Sequence, residues 1–230
     1  MKTTLFYFAM IVFSQISHAY SDNVITKNYT LKAFNALKVS SAFTVEFIHS
    51  SENKVVVEID KDAESHLYVG VNDGKLVIKL QDCNSCNTRT LKAKVYGNSI
   101  NELYISGASS FVSNYTFNEK KMSIKISGAS KVDISIKTEQ LSTDISGASK
   151  LIANGIATTQ LIDASGASNF NGKNCKSNNV SVEASGASKV TIDCSNTLNV
   201  DASGASSIRY LSRPKTVNEN SSGASSVGLI

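Results

Sequence analysis

The strongest constraint on this chain is the four-residue phrase Ser-Gly-Ala-Ser, which occurs seven times in its second half. Successive glycines of the phrase are 21, 19, 19, 20, 18 and 19 residues apart. A period near 19 that tolerates slips of one or two residues indicates a solenoid with one coil per repeat. We assign the glycines a structural role at a bend, where a missing side chain lets two backbones approach closely. They are Gly107, Gly128, Gly147, Gly166, Gly186, Gly204 and Gly223.

Positions at fixed distances from each glycine alternate between apolar and polar residues. Four residues after the glycine all seven residues are apolar, and two residues before it six of the seven are. Three residues before or after it, most residues are polar or charged. This period of two is that of a β-strand with one buried face. We therefore predict an all-β fold, a parallel β-helix of about 19 residues per coil over at least residues 101–230.

Residues 24–100 lack the phrase but alternate in the same way. Two alternating segments, residues 68–71 and 75–80, are joined through Asn72-Asp73-Gly74, and an Asp-Gly pair in that position is a strong hairpin signal. We expect this N-terminal region of strands and a β-hairpin to begin the same sheet or to cap it, because the ends of a solenoid need covering. Residues 20–230 would then form a single domain.

Residues 1–19 have the pattern of a secretory signal peptide. A lysine precedes an apolar run over residues 5–13, and Ser17-His18-Ala19 supplies small residues at the cleavage positions. The run is too short to cross a bilayer as a helix, and no later segment has the roughly 18 apolar residues that a transmembrane helix requires. We predict an extracytoplasmic protein that is periplasmic, secreted or on the cell surface, with no transmembrane segment.

Four cysteines fit an oxidising compartment, and we predict two structural disulfides. Cys175 and Cys194 lie 11 and 10 residues before the next repeat glycine, so the two should stack nearly above one another on adjacent coils. A spacing of about 5 Å between stacked positions suits a disulfide. This pairing leaves Cys83 with Cys86 in a Cys-x-x-Cys loop.

The sharpest chemical feature is a column of acidic residues three positions before the repeat glycine. Stacked carboxylates could bind calcium, which takes oxygen ligands, or form a carbohydrate-cleaving site, which needs paired carboxylates. The interpretation that we favour is a solvated face, balanced in part by a basic column three positions after the glycine. The acidic residues are Asp144, Asp163, Glu183 and Asp201, and the basic ones are Lys131, Lys150 and Lys189.

Other features argue against several functional classes. The net charge is +4, from 23 basic and 19 acidic residues, and no basic run supports nucleic-acid binding. No nucleophile elbow, metalloprotease motif, P-loop or calcium loop is present. A serine that recurs in seven repeats is structural, and His49 and His66 each stand alone in the sequence. We predict a protein that is not an enzyme and uses no cofactor.

The serine before and the alanine after each glycine have two interpretations. Facing outward, they would form a flat stripe of the kind that binds ordered surfaces such as ice. The same small residues serve equally well in a tight structural bend, and we favour the bend.

The chain resembles the bacterial head GIN domain family, whose members are described as auto-transporter adhesins. Three features carry the resemblance: the segment Phe34-Asn35-Ala36-Leu37-Lys38-Val39, the hairpin Val71-Asn72-Asp73-Gly74-Lys75-Leu76-Val77-Ile78, and the seven repeat phrases. The resemblance covers roughly residues 30–227. It implies a right-handed β-helix and an extracytoplasmic location, and it supplies no catalytic residues.

Together these observations predict a non-catalytic, cell-envelope or secreted binding and adhesion module that presents stacked β-helix faces. We expect its partner to be a glycan, an envelope protein or a host protein, and we expect no nucleic acid to bind. The first or last coil could also pair edge to edge in a homodimer. The alternatives are a carbohydrate-active enzyme, a calcium-binding protein, and a periplasmic structural protein.

Overall fold

The computed structural model describes residues 23–83 and 88–230, and the predicted signal peptide lies outside them. The described chain is almost entirely β-structure, with a short 3₁₀ helix at Lys61–His66. The strands are β1 (Val24–Thr30), β2 (Ala36–Val39), β3 (Thr44–His49), β4 (Lys54–Asp60), β5 (Leu67–Asn72), β6 (Lys75–Leu80), β7 (Leu91–Gly97), β8 (Glu102–Ile105), β9 (Ser110–Ile126), β10 (Lys131–Ile145), β11 (Lys150–Ala164), β12 (Asn169–Ala184), β13 (Lys189–Ala202), β14 (Ser207–Tyr210), β15 (Thr216–Ser221) and β16 (Ser226–Leu229).

The second half of the chain is a stack of parallel coils. Strands β9 to β13 each form most of one coil, and each pairs with the next in parallel. The column four residues after the repeat glycine shows the register, because its residues are direct partners and are buried. Its members on five successive coils are Val132, Leu151, Phe170, Val190 and Ile208. The predicted parallel β-helix is confirmed, with about seven turns of about 19 residues.

Each Ser-Gly-Ala-Ser phrase forms a corner between two coil segments. At Gly166 the backbone has φ +70°, a conformation that side chains disfavour, and an added Cβ would lie 2.8 Å from the carbonyl oxygen of Gly147. That same oxygen accepts a hydrogen bond from the backbone N–H of Ala167 at 2.8 Å. The parallel hydrogen-bond ladder therefore continues through the corner, and glycine is required both by its φ and by the coil below.

The solenoid begins earlier than the repeat phrases indicate. Ser41 and Ala42 have φ values of 69° and 64°, and the backbone N–H of Ala42 donates to the carbonyl oxygen of Gly107 at 2.8 Å. Strand β2 lies in parallel against β8, and β3 lies in parallel against β9. Residues 36–49 therefore form a coil whose corner has Ser41 in the place of the repeat glycine.

The N-terminal end of the solenoid is covered by the remaining strands. The predicted hairpin is present as β5 and β6, with Asp73 and Gly74 at φ 48° and 72° in its two-residue turn. Strand β6 pairs in parallel with β2, and β7 pairs in parallel with β3. Strands β4 and β1 then add two antiparallel strands beyond β7. One sheet thus runs from the cap through all the coils.

Among the described residues, no strand pairs with the outer edges of β15 and β16, and we call this end of the solenoid its open end. The inner edges of β15 and β16 pair with β13 and β14 respectively. In earlier coils the columns two and four residues before the glycine are buried, but here they hold Ser221 and Glu219, both exposed. The Ser221 hydroxyl donates to Glu219 Oε1 at 2.7 Å. An inward-facing charge on a terminal strand discourages edge-to-edge pairing.

The predicted Cys175–Cys194 disulfide is wrong. Both thiols are buried and free. The reason is a local change of register between β12 and β13. Asn171 pairs with Thr191 and Lys176 pairs with Asp193, so an advance of five residues along β12 matches an advance of only two along β13. Cys194 is consequently the partner of Ser177, two residues beyond Cys175. Cys86 lies outside the described residues, so its pairing with Cys83 stays a prediction.

Candidate binding faces

The predicted acidic column forms one exposed face of the solenoid, which we call the acidic face. Its four carboxylates stand at the C-terminal ends of β10 to β13 and are direct partners in the parallel register. In order along the axis they are Asp144, Asp163, Glu183 and Asp201, and all four are exposed. Neighbouring strands are about 4.8 Å apart, so the like charges of the column repel one another along its length.

A single lysine lies in register at the N-terminal end of this column. Lys125 is the strand partner of Asp144, and its Nζ is 3.9 Å from Asp144 Oδ2. Both side chains are about half exposed, so this ion pair adds little stability. The three acidic residues beyond it have no ion-pair partner within 4.0 Å among the described residues, so the acidic face keeps a net negative charge.

Shallow grooves run beside the acidic column, between it and the next outward column. One, of about 350 Å³, is lined by three carboxylates and one lysine, with two serines and a leucine between them: Asp144, Asp163, Glu183, Lys125, Ser142, Ser181 and Leu161. Another, of about 310 Å³, continues past Asp201 to Asn199 and Asn218. Asn218 Nδ2 donates to Asn199 Oδ1 at 2.8 Å. The face therefore offers carboxylates, hydroxyls and amides in repeated rows, a surface suited to polar or cationic partners.

The predicted basic column lies on the other side of the corner, on what we call the basic face. Its residues are partners in an unbroken register that runs through Lys131, Lys150, Asn169, Lys189 and Ser207. The three lysines are exposed. In the next outward column of this face, Asp133 and Arg209 are both half-buried and lie four coils apart.

The four carboxylates of the acidic face follow a line along the solenoid axis. Within residues 23–83 and 88–230, no three His, Cys, Asp or Glu side chains converge in a way that could hold a metal ion. A line of exposed carboxylates does not supply the six to eight converging oxygens that calcium takes. Nor does it bury one carboxyl against an apolar surface, as a glycosidase acid needs. The geometry therefore supports the solvated-face interpretation of this column.

The small residues of the corner have divided roles. The glycine and alanine of each corner are exposed, whereas the second serine of six corners is buried in the interior. This inward serine column was not predicted from the sequence, because serine also suits an exposed bend, although its even spacing from the glycine matches that of the apolar columns. Four of its hydroxyls have no hydrogen-bond partner among the described residues: Ser109, Ser168, Ser188 and Ser206. The first serine of each corner is half-buried or exposed, so the stripe of serine and alanine faces outward, and ice binding stays an untested hypothesis.

The two histidines of the described chain make backbone hydrogen bonds. The Nδ1 of His49 donates to the carbonyl oxygen of Asn98 at 2.6 Å, and the Nδ1 of His66 donates to that of Gln81 at 2.9 Å. The His49 ring also stacks on Tyr115, with centroids 4.2 Å apart. These contacts give each histidine a structural partner. None of the helices in the described ranges is long and apolar enough to cross a membrane.

The fold and these faces define a class: a capped parallel β-solenoid with charged side chains in register along its exposed faces. The chain belongs to the family described as "Putative auto-transporter adhesin, head GIN domain", which matches residues 33–214. This confirms the resemblance seen in the sequence. No curated protein matches the chain.

Solved structures share this fold at low sequence identity. A protein from Bacteroides fragilis titled a putative adhesin has a TM-score of 0.84 at 18% identity, covering 91% of this chain and 98% of its own. A putative adhesin from Parabacteroides merdae has a TM-score of 0.75 at 16% identity, covering 91% and 97%. A structure from Parabacteroides distasonis, titled a putative lipid binding protein, has a TM-score of 0.70 at 16% identity, covering 91% and 98%. The family descriptions fit an adhesion-like, non-catalytic role and an extracytoplasmic protein.

Proposed function

We propose that this protein is a non-catalytic binding module of the cell envelope or of the secreted fraction, and that it acts in adhesion through its acidic face. The observation that supports this most directly is the in-register column of exposed carboxylates on four successive coils. A rigid solenoid holds such side chains at fixed intervals without any ligand present, so little ordering is needed on binding.

The chemistry of the face indicates the kind of partner. Rows of carboxylates, serine hydroxyls and asparagine amides line its grooves. Such groups accept and donate hydrogen bonds to hydroxylated or cationic surfaces, which glycans and envelope or host proteins both provide. Repetition along the axis allows several weak contacts to act together, so a partner with its own repeats gains avidity.

The test is binding of the labelled protein, residues 20–230, to bacterial cells, host cells and immobilised glycans. We expect saturable binding to at least one of these surfaces, reduced at least tenfold by the double variant Asp163→Asn/Glu183→Gln. The matched control Glu139→Gln/Asp73→Asn removes two exposed carboxylates elsewhere and should bind normally. Absence of saturable binding on every surface, or equal loss in both variants, would contradict the proposal.

A further inference from the structure

We infer that the acidic face of one molecule docks on the basic face of a second copy of this chain, with the two solenoid axes parallel. The inference rests on the proposed function for the contact role of the acidic face, and it names a partner for that face. It is argued from charge, register and the shape of the corner between the two faces.

The two charged columns have the same spacing because both follow the coil repeat. We place two copies side by side with their axes parallel and equivalent coils at the same height. The residue three positions before a repeat glycine in one copy then faces the residue three positions after the equivalent glycine in the other copy. Asp144 then faces Lys150 of the second copy, and Glu183 faces Lys189 of the second copy. Asp163 lies one coil, about 4.8 Å, from either of these lysines. The axial spacing of the charges is therefore the same on both faces, because both columns have one residue per coil of the same solenoid.

Docking also relieves a repulsion that each molecule carries alone. Carboxylates in register repel along the acidic face, and the lysines at Lys131 and Lys150 are direct neighbours on the basic face. Opposite charges from a second copy placed between them convert these like-charge columns into a mixed ladder. Lys125 is at the height of Lys131 and opposes pairing there, so the contact centres on the corners from Gly147 onward.

Apolar side chains with exposed surface accompany the charges on both faces within this contact. Leu161 is 41% exposed beside the acidic column. Ile152 is half-buried beside the basic column, two residues after Lys150. The contact therefore has apolar surface to bury in addition to its ion pairs, and exposed ion pairs alone contribute little.

The corner explains why the partner must be another molecule. The two faces lie on opposite sides of the Ser-Gly-Ala-Ser bend, so they cannot meet within one chain. Each docked pair leaves one acidic and one basic face free, which makes the contact heterologous and lets it close into a ring or continue as a row. Exposed glycines and alanines at the corner leave no bulky side chain between neighbouring corners.

The experiment uses two variants of residues 20–230 and their mixture. Asp163→Lys/Glu183→Lys makes both faces positive, and Lys150→Glu/Lys189→Glu makes both negative. We expect the wild type to assemble at low salt by light scattering and native mass spectrometry, and to dissociate above about 0.5 M salt. Each variant alone should be monomeric, and an equimolar mixture should recover assemblies that contain both chains. The control Lys137→Glu/Lys176→Glu alters two exposed lysines in a different column and should assemble like the wild type.

The outcomes separate this inference from the proposed function. A wild type that stays monomeric at low salt and high concentration overturns the inference, as does an assembly whose mass neither variant changes. Failure of the mixture to recover assemblies, with both variants folded by circular dichroism, overturns it too. Binding to cells or glycans by a monomeric wild type would leave the proposed function standing. Assembly without any such binding would support the inference while the proposed function fails.

Discussion

The carbonyl oxygen of Gly147 accepts a hydrogen bond at 2.8 Å from the backbone N–H of Ala167, one coil along the solenoid. The corresponding bonds join Ala187 to Gly166 at 2.8 Å and Ala205 to Gly186 at 2.7 Å. The carbonyl oxygen of each of these corner glycines thus accepts a hydrogen bond from the next coil, and the missing side chain leaves room for the glycine of the preceding coil. The corner therefore combines a backbone hydrogen bond to the next coil with a close approach to the preceding one.

Replacing a corner glycine should therefore be strongly destabilising. We expect Gly166→Ala to lower the free energy of unfolding by at least about 2 kcal/mol, because a positive φ and a backbone clash act together. Chemical denaturation measures this. Ala167→Ser, at the adjacent exposed position, is the control and should change stability by less than about 0.5 kcal/mol. Equal stability of Gly166→Ala and the wild type would refute this account of the corner.

The buried serine column should respond according to its hydrogen bonds. Ser130 Oγ donates to the carbonyl oxygen of Ser127 at 2.8 Å, whereas Ser188 Oγ has no partner in the described chain. We expect Ser130→Ala to destabilise the protein by about 1 kcal/mol and Ser188→Ala to be neutral or stabilising. Thermal unfolding of the two variants makes the comparison. A larger loss in Ser188→Ala would show that its hydroxyl has a bonding partner, such as a buried water.

The buried thiols predict a loss of stability at alkaline pH. Burial, reinforced by the Asp193 carboxylate, raises the pKa of the Cys175 thiol to about 12 from its ordinary value of 9.0. The unfolded chain loses this proton at lower pH than the folded chain. The stabilising contribution is therefore complete below pH 9 and declines as pH rises from 9 towards about 12. Cys175→Ala should flatten the stability profile in that range, and an unchanged slope would contradict the assignment.

The same thiols should be inert in the native protein. Cys175 and Cys194 are both buried, and burial raises the pKa of each. A thiolate is the reactive form, so we expect a thiol reagent to modify them only after unfolding. Peptide mapping of the protein after air oxidation tests independently whether the two thiols are free. A Cys175–Cys194 disulfide in that map would contradict the free thiols of the structure.

Glu219 should limit association through the open end of the solenoid. Its column is buried in preceding coils, where Val182 and Val200 occupy it. We expect Glu219→Val/Ser221→Ala to increase association, because an apolar terminal coil presents an unprotected edge. Light scattering measures the change. The control Asn220→Val alters the exposed outward position between them, and equal association of control and variant would argue against the role of Glu219.

The fold was predictable wherever one repeat fixes the position of many residues. The number and the period of the coils follow from the seven corner glycines. Which side chains point into the core follows from the buried column that includes Phe170 and Val190. The coil at residues 36–49 was missed because Ser41 occupies the glycine position, and a corner without glycine cannot be recognised from the phrase. Its neighbours Leu37 and Val39 do match the apolar columns, and this signal could have revealed it.

Sequence spacing failed where strands change register. Counting from the next glycine placed Cys175 beside Cys194, but counting assumes equal step lengths along adjacent coils. The irregularity between Asn171 and Lys176 breaks that assumption, and no residue pattern marks its size. The acidic and basic faces were predictable because their columns lie within three residues of the corner, before any irregularity accumulates.

The most direct test of the proposed role is the location of the native protein. Cells should be treated with a protease while intact and again after the envelope is permeabilised, with the protein followed by antibody. An adhesion module acting at the surface should be digested on intact cells. Protection until permeabilisation, with an internal control protein likewise protected, would contradict surface adhesion and direct the search to periplasmic partners.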